Sequence, residues 1–292
     1  MPVAELLETL ATRSLDPRES YTTFAELVDG RLTELRSRPC SPRSRPGRDA
    51  WRDRRGGLST RDAAVPFPKP AYPVASQLRH GWRRRGHGKP VHRRGLRRAA
   101  AGIRVAKHGN RASSSRCGSA DCSRRRVSDS DLPPEVARRC LDQAGICFLF
   151  APAYHPGVRR VMSVRRALRT RTVFNLLGPL ANPAKPEIQV MGIYAPHLVR
   201  PAALTLAELG CESALVVHGA GLDELALHGT TTAALLRHGV VTDLELTPEA
   251  AGLDRAPIAA LAASGGAADA AAWLRALLGG DGDPVHRAAV AA

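Results

Sequence analysis

A polar segment that follows a short, mostly apolar run has the residue types of a phosphate-binding loop. Ile103–Ala106 is the apolar run, and Lys107–Asp121 then brings together lysine, histidine, asparagine, arginine, glycine and serine. Backbone N–H groups, hydroxyls and cationic side chains in a loop after a strand can bind phosphate oxygens. A solvated surface loop has the same composition, so this segment alone leaves both interpretations open.

Two adjacent carboxylates provide a second candidate site. Asp223 and Glu224 come shortly after the apolar residues Ala214–Val217, which predict a strand running into His218-Gly219. Mg²⁺ prefers oxygen ligands and keeps bound waters, so a carboxylate pair beside a phosphate site suits it. An Asp-Glu pair by itself is more often surface charge, and the metal site therefore depends on a neighbouring phosphate site.

The elements that would position these residues alternate between strand and helix from Ala101 onwards. Apolar patterns predict strands and helices in this order: a strand at 146–150, a strand at 188–194, a helix over 198–209, a strand at 214–217, and a hairpin turning at His238-Gly239. Such alternation predicts an α/β domain with a central sheet. Residues 3–29 predict two helices, and the prolines of 62–70 predict an extended linker. We therefore expect an N-terminal helical domain over 1–65 and an α/β domain over 66–292.

The net charge of +16 comes from a few short stretches. Residues 36–60, 79–98 and 122–130 hold 20 of the 43 Lys and Arg but only three of the 27 acidic residues, and the rest of the chain has a net charge of −1. These stretches lack the apolar periodicity of helices or strands, and they contain only two aromatic residues, Trp51 and Trp82. The sequence therefore predicts no nucleic-acid partner, although the charge alone would suggest one.

Cysteine spacing and hydropathy indicate a cytoplasmic protein. The six cysteines show no CxxC pair or metal-ligand spacing, which predicts reduced thiols and neither disulfides nor zinc. No apolar run approaches the ~20 residues of a membrane span, so no membrane partner is expected. The residues after Met1 lack the basic and apolar regions of a signal peptide.

Several ordered segments together resemble the signature of the anthranilate phosphoribosyltransferases. They are Lys107–Ser115, Gly118–Asp121, Phe150–Pro152 with His155-Pro156, Val164–Arg166, Asn175–Pro183, and His218-Gly219 with Leu222–Glu224. The likeness extends over about 1–35, 60–76, 101–121 and 131–292. It implies an α/β fold with a small helical N-terminal domain, a larger domain with a central mixed sheet, and a homodimer.

This resemblance also implies an activity, transfer of the phosphoribosyl group from phosphoribosyl pyrophosphate (PRPP) to anthranilate in tryptophan biosynthesis. Residues that would contact PRPP are Lys107, His108, Gly109, Asn110, Arg111, Ala112, Ser113, Ser114, Ser115 and Ser119. Residues that would hold anthranilate are Asn110, Pro152, His155 and Arg165, with the Arg165 guanidinium pairing the carboxylate. Asp223 and Glu224 would bind Mg²⁺. No protein nucleophile or strong base is implied, because the amine of anthranilate is already neutral at pH 7.

One part of the family pattern is missing. The family carries a Gly-Thr-Gly-Gly-Asp-Gly loop before the Lys107 segment, but Arg79–Arg84 stands in its place. Arginine cannot replace glycine where a backbone must approach phosphate closely. Lys89–His92 likewise stands where the family has Asn-x-Ser-Thr, so phosphate and metal ligands are lost.

Codon degeneracy suggests how the pattern was lost. Arg79–Arg84 permits a base sequence that gives Gly-Thr-Gly-Gly-Asp-Gly when it is read one base along, and Lys89–His92 permits Asn-Leu-Ser-Thr. We interpret 36–60, 77–98 and 122–130 as out-of-frame translations, a hypothesis that the nucleotide sequence decides. After Ala288 the family continues into further helices, so the resemblance also predicts a shortened C-terminus.

Three alternatives remain open at this point. A pyrimidine nucleoside phosphorylase of the same fold would share the phosphate loops and the helical front. A non-enzymatic basic protein that binds nucleic acid would show affinity that falls steeply with salt. The chain could also be an inactive member of the anthranilate enzyme family, since its glycine loop is absent.

Overall fold

The computed structural model describes residues 61–80, 98–99, 101–110, 132–157, 178, 180–261, 276, 284–285 and 288. The chain forms two compact units, one of residues 1–66 with 152–183 and one of residues 67–151 with 184–292. The two helices predicted over 3–29 lie outside the described residues, as do 36–60, 122–130 and most of 77–98.

The second unit contains the strands of the described chain. They are β1 (Ala75–His80), β2 (Val105–Gly109), β3 (Ile146–Phe150), β4 (Ile188–Ile193), β5 (Ser213–Gly219), β6 (Thr231–Arg237) and β7 (Val240–Leu246). The helices are α1 (Pro134–Ala144), α2 (Ala151–Tyr154) and α3 (Val199–Glu208), with short 3₁₀ turns at Pro196–Leu198, Glu249–Ala251 and Ile258–Leu261. In the described residues no helix is both long and apolar enough to span a bilayer.

The seven strands form one mixed sheet in the order β3-β2-β1-β4-β5-β6-β7. Strands β1 to β5 run parallel to one another, whereas β6 and β7 pair in antiparallel fashion. The predicted α/β class with a central mixed sheet is therefore confirmed. Because β2 and β3 lie on one side of β1 and β4 lies on the other, the strand order reverses at β1.

Local sequence signals explain where the elements begin and end. Helix α1 starts with proline at its first position, where no N–H is needed, and ends at Gly145, whose φ of 73° suits a left-handed cap. The hairpin between β6 and β7 turns at His238 and Gly239, with φ values of 48° and 80°. Two positive φ values are what a type I′ turn requires, so the predicted hairpin is confirmed.

The structure corrects three expectations about local structure. The segment after Ala106 is not all loop, because β2 continues through Lys107–Gly109. The basic stretch at 79–98 is not free of regular structure, because its first two residues, Arg79 and His80, complete β1 and pair with β4. Backbone pairing with the parallel strand β4 overrides the missing apolar pattern there. The linker is extended only after its start, since Asp62 is still helical.

Candidate active site

The Lys107 segment reaches the carboxyl end of β2, next to β1 in the sheet. Lys107 and His108 are each 3% exposed, and they point to opposite faces because they are consecutive in a strand. Gly109 packs against the ring of Phe148, where an added Cβ would lie 3.3 Å from two ring atoms. Asn110 is the first residue past the strand and is exposed, which places it at the carboxyl edge of the sheet.

Asp223 and Glu224 lie at the same edge, just beyond the carboxyl end of β5. Their exposed fractions are 5% and 4%, which is low for carboxylates. A Cβ built on Gly192 of β4 would overlap the carbonyl oxygen of Asp223, and one built on Gly219 would overlap that of Glu224. The backbone of the carboxylate pair therefore folds back onto β4 and β5, and glycine at both positions makes this approach possible.

A tight turn directs the chain from β5 to the two carboxylates. Gly219 and Leu222 exchange backbone hydrogen bonds of 2.9 and 2.8 Å, with Ala220 and Gly221 between them. Both central residues have positive φ, 46° at Ala220 and 89° at Gly221. A left-handed alanine is strained, so contacts around the turn must hold it.

His218 connects the end of β5 to β4. Its Nδ1 lies 2.9 Å from the carbonyl oxygen of Ile193, and the side chain is buried. Because a carbonyl can only accept, Nδ1 carries the proton in this hydrogen bond. The imidazole thus fixes the spacing of the two strand ends that flank the carboxylate pair.

The carboxylate oxygens of Asp223 and Glu224 suit a cation whose remaining coordination positions are filled by other oxygen ligands. Within the part of the chain that the structure describes, no group of three or more His, Cys, Asp and Glu side chains could hold a metal ion. Two carboxylates cannot fill the six positions around Mg²⁺, but Mg²⁺ commonly takes one or two carboxylates and completes its shell with waters and phosphates.

Other predicted site residues lie elsewhere in the chain or outside the described residues. Pro152 is in α2 and His155 follows that helix, and both belong to the first unit. His155 is buried and Pro152 is half-buried. The remaining predictions fall outside the described residues; they are Arg111, Ala112, Ser113, Ser114, Ser115, Ser119 and Arg165.

Glu187 sets the position of β1, from which the missing glycine loop would follow. Its carboxylate accepts a 2.8 Å hydrogen bond from the N–H of Val74 and forms an ion pair with Lys69. Burial acts to raise the pKa of Glu187, but these two contacts outweigh it and lower the pKa. Glu187 immediately precedes β4, so it joins the starts of the two strands at which the strand order reverses.

Sequence reasoning missed Gly192, Glu187 and His228, whose Nε2 lies 3.0 Å from the carbonyl oxygen of Ala220. A signal for Gly192 existed, because an isolated glycine inside a strand pattern indicates a close backbone approach. Glu187 and His228 act through contacts with distant or looped-back segments, and neither stands in a recognisable motif.

Comparison with known proteins identifies the family. The family model described as "Glycosyl transferase family, a/b domain" matches residues 95–292. An anthranilate phosphoribosyltransferase from Sorangium cellulosum (strain So ce56) is 49% identical over 278 residues, which are 95% of this chain and 80% of the relative. The chain belongs to the anthranilate phosphoribosyltransferase family.

Solved structures agree with this assignment. The crystal structure of anthranilate phosphoribosyltransferase from Thermus thermophilus is 35% identical, with a TM-score of 0.84 over 98% of this chain and 85% of that one. The Saccharomyces cerevisiae anthranilate phosphoribosyltransferase in complex with PRPP and Mg is 23% identical, with a TM-score of 0.72 over 97% and 78%. The second likeness shows the fold alone. The nucleoside phosphorylase and nucleic-acid-binding alternatives are not favoured.

Proposed function

We propose that the chain is built to transfer the phosphoribosyl group of PRPP to anthranilate, releasing pyrophosphate. The observation that carries this proposal is that Asn110 and the Asp223–Glu224 loop share the carboxyl edge of the sheet, on either side of β1 and β4, between which the strand order reverses. Ligands of open α/β sheets bind at this place. Membership of the anthranilate enzyme family selects the reaction.

In this proposal the phosphate contacts come from Lys107–Ser115 and Ser119. Gly109 ends β2 and Asn110 follows it, and at such a strand end backbone and side-chain donors can meet a polyanion. Anthranilate would be held by Asn110, Pro152, His155 and Arg165. These assignments rest on the family resemblance, and the position of Asn110 directly after β2 supports them.

Asp223 and Glu224 would hold Mg²⁺. Their fit is supported by an all-oxygen donor pair, low exposure, and the close approach of their backbone to Gly192 and Gly219. A related enzyme from S. cerevisiae has been solved with PRPP and Mg. When bound, the ion would neutralise charge on the departing pyrophosphate.

The chain's own residues would contribute positioning and charge. The anthranilate amine donates its lone pair to ribose C1 as the C1–O bond to pyrophosphate breaks, and the amine then loses a proton to solvent. Holding the two substrates in line lowers the barrier by removing translational and rotational freedom. Donors aimed at the leaving oxygens stabilise the charge that develops there.

Turnover requires the glycine loop that Arg79–Arg84 replaces. Strand β1 ends at His80, so the replaced loop would start at the carboxyl edge beside β4 and the carboxylate pair. A backbone without side chains can approach phosphate there, whereas a run of arginines adds bulk. We therefore propose that the fold and the substrate class persist in this chain while turnover is lost.

A substrate panel tests the proposal. The chain with Gly-Thr-Gly-Gly-Asp-Gly at 79–84 and Asn-Leu-Ser-Thr at 89–92 is assayed with anthranilate and PRPP, and with phosphate and either uridine or thymidine. We expect loss of anthranilate only in the presence of PRPP, and no cleavage of either nucleoside. Nucleoside cleavage without anthranilate consumption would overturn the proposed function. Sedimentation of the same sample tests the homodimer that the family predicts.

A further inference from the structure

We propose that His228 is a positioning residue that fixes the Asp223–Glu224 pair through the turn that precedes it. The inference rests on the proposed role of those carboxylates in binding Mg²⁺. It concerns a side chain that lies after the pair in the sequence but contacts the turn before it.

The first observation is a hydrogen bond that spans the loop. Nε2 of His228 lies 3.0 Å from the carbonyl oxygen of Ala220, eight residues earlier. Since the carbonyl can only accept, Nε2 carries the proton. Ala220 has a φ of 46°, a conformation that alanine adopts only under constraint. The imidazole therefore restrains the strained residue of the turn.

The second observation is packing at the next residue. A Cβ built on Gly229 would lie 3.0 Å from the Cβ of Ala220. His228 and Gly229 thus contact the turn together, one through a hydrogen bond and one through close packing. A side chain at position 229 would push the turn away, so glycine at this position allows His228 to reach the turn.

The third observation is that the far end of the loop is also fixed. The hydroxyl of Thr231, at the start of β6, accepts a 3.1 Å hydrogen bond from the N–H of Ala226. Thr231 is buried, and β6 pairs with β5 throughout. The two carboxylates thus lie between a clamped turn and an anchored strand. Loss of the His228 hydrogen bond would leave the turn before the two carboxylates without this restraint.

Two substitutions separate the hydrogen bond from the bulk of the side chain. His228→Gln places an amide donor near the position of Nε2, whereas His228→Asn places one near Nδ1. Within the described residues Nδ1 has no hydrogen-bond partner, although it is buried. The two variants therefore have the same chemistry and differ in reach. His197→Asn, at an exposed histidine in the same unit, is the control.

The readouts are Mn²⁺ affinity and backbone amide exchange, both measured on the full chain. Mn²⁺ binding in the presence of inorganic pyrophosphate is followed by electron paramagnetic resonance. We expect His228→Asn to weaken Mn²⁺ binding by about tenfold, the effect typical of losing a residue that orients metal ligands. Amides of 220–224 should exchange faster in this variant, and His228→Gln and His197→Asn should match the parent chain in both readouts.

Each outcome decides a different claim. Equal Mn²⁺ affinity and equal exchange in the parent chain and His228→Asn would overturn the positioning role. If Mn²⁺ binds none of the proteins, the proposed metal site fails, and faster exchange of 220–224 in His228→Asn alone would still support the clamp. Equally weakened Mn²⁺ binding in His228→Gln and His228→Asn would also contradict the positioning role, because His228→Gln retains the donor.

Discussion

Gly192 and Asp223 are in such close contact that no side chain could be placed between them. A Cβ on Gly192 would overlap the carbonyl oxygen and the carbonyl carbon of Asp223. The contact joins the end of β4 to the first of the two candidate metal ligands. It makes the position of the carboxylate pair depend on the absence of a side chain in a neighbouring strand.

Gly192→Ala should therefore lower both stability and metal affinity. The added methyl would force the 223–224 backbone away from the sheet, and overpacking of this kind costs about 1–3 kcal/mol. Urea unfolding measures the loss. Gly210→Ala is the control, because Gly210 has a positive φ but open space around its Cβ position. Only strain of about 1 kcal/mol is expected there, so an equal loss in the two variants would contradict the packing argument.

Glu187→Gln should destabilise the chain at neutral pH by about 1–2 kcal/mol, because a charged acceptor of the Val74 N–H and the partner of Lys69 are lost. The folded-state pKa of Glu187 is lowered. Its contribution is therefore present above the unfolded pKa of about 4.3 and is lost as the pH falls through the folded value. Thermal unfolding of parent and variant should differ most at pH 7, and the difference should be smaller at pH 3.

A matched control uses an exposed ion pair. The pKa of Glu249 is also lowered, by its contact with Arg255. Both side chains are about half exposed, so solvent screens the pair. Glu249→Gln should cause no measurable change at either pH. A difference between Glu187→Gln and the parent that persists undiminished at pH 3 would show that the effect is not due to the carboxylate charge.

Thiol reactivity should separate Cys140 from Cys147. Burial, with smaller contributions from nearby Cys140 and Asp142, raises the pKa of Cys147 to about 12, and burial raises that of Cys211 to about 11. Only the thiolate reacts, so both should be slow towards iodoacetamide at pH 8. Cys140 is half-buried and should be labelled first. Peptide mass spectrometry follows each site, and labelling of Cys147 as fast as Cys140 in the folded chain would refute the burial of β3.

Much of the sheet could be predicted because its strands have strong local signals. Ile146–Phe150 is almost wholly apolar and is a strand with the predicted bounds. The turn at His238-Gly239 was indicated by residues that tolerate positive φ. The extension of β1 to His80 had no such signal. It forms because its backbone pairs with β4, and the basic residues themselves have no strand pattern.

The candidate site was only partly predictable for a related reason. Asp223 and Glu224 were found from their type and from the strand before them. Their support by Gly192, and the contact of His228 with Ala220, join segments that are far apart in sequence or return after a loop. The glycine inside the β4 pattern indicates a close backbone approach, but no pattern along the chain tells which residue makes it.

Turnover of anthranilate by the original and loop-restored chains tests the central claim most directly. Loss of anthranilate fluorescence is followed with PRPP and Mg²⁺ for the chain as it stands and for the chain with Gly-Thr-Gly-Gly-Asp-Gly at 79–84 and Asn-Leu-Ser-Thr at 89–92. We predict turnover in the restored chain alone, and its loss when PRPP is omitted. Comparable turnover by the unrestored chain would contradict the account, since phosphate would then be bound without the glycine loop.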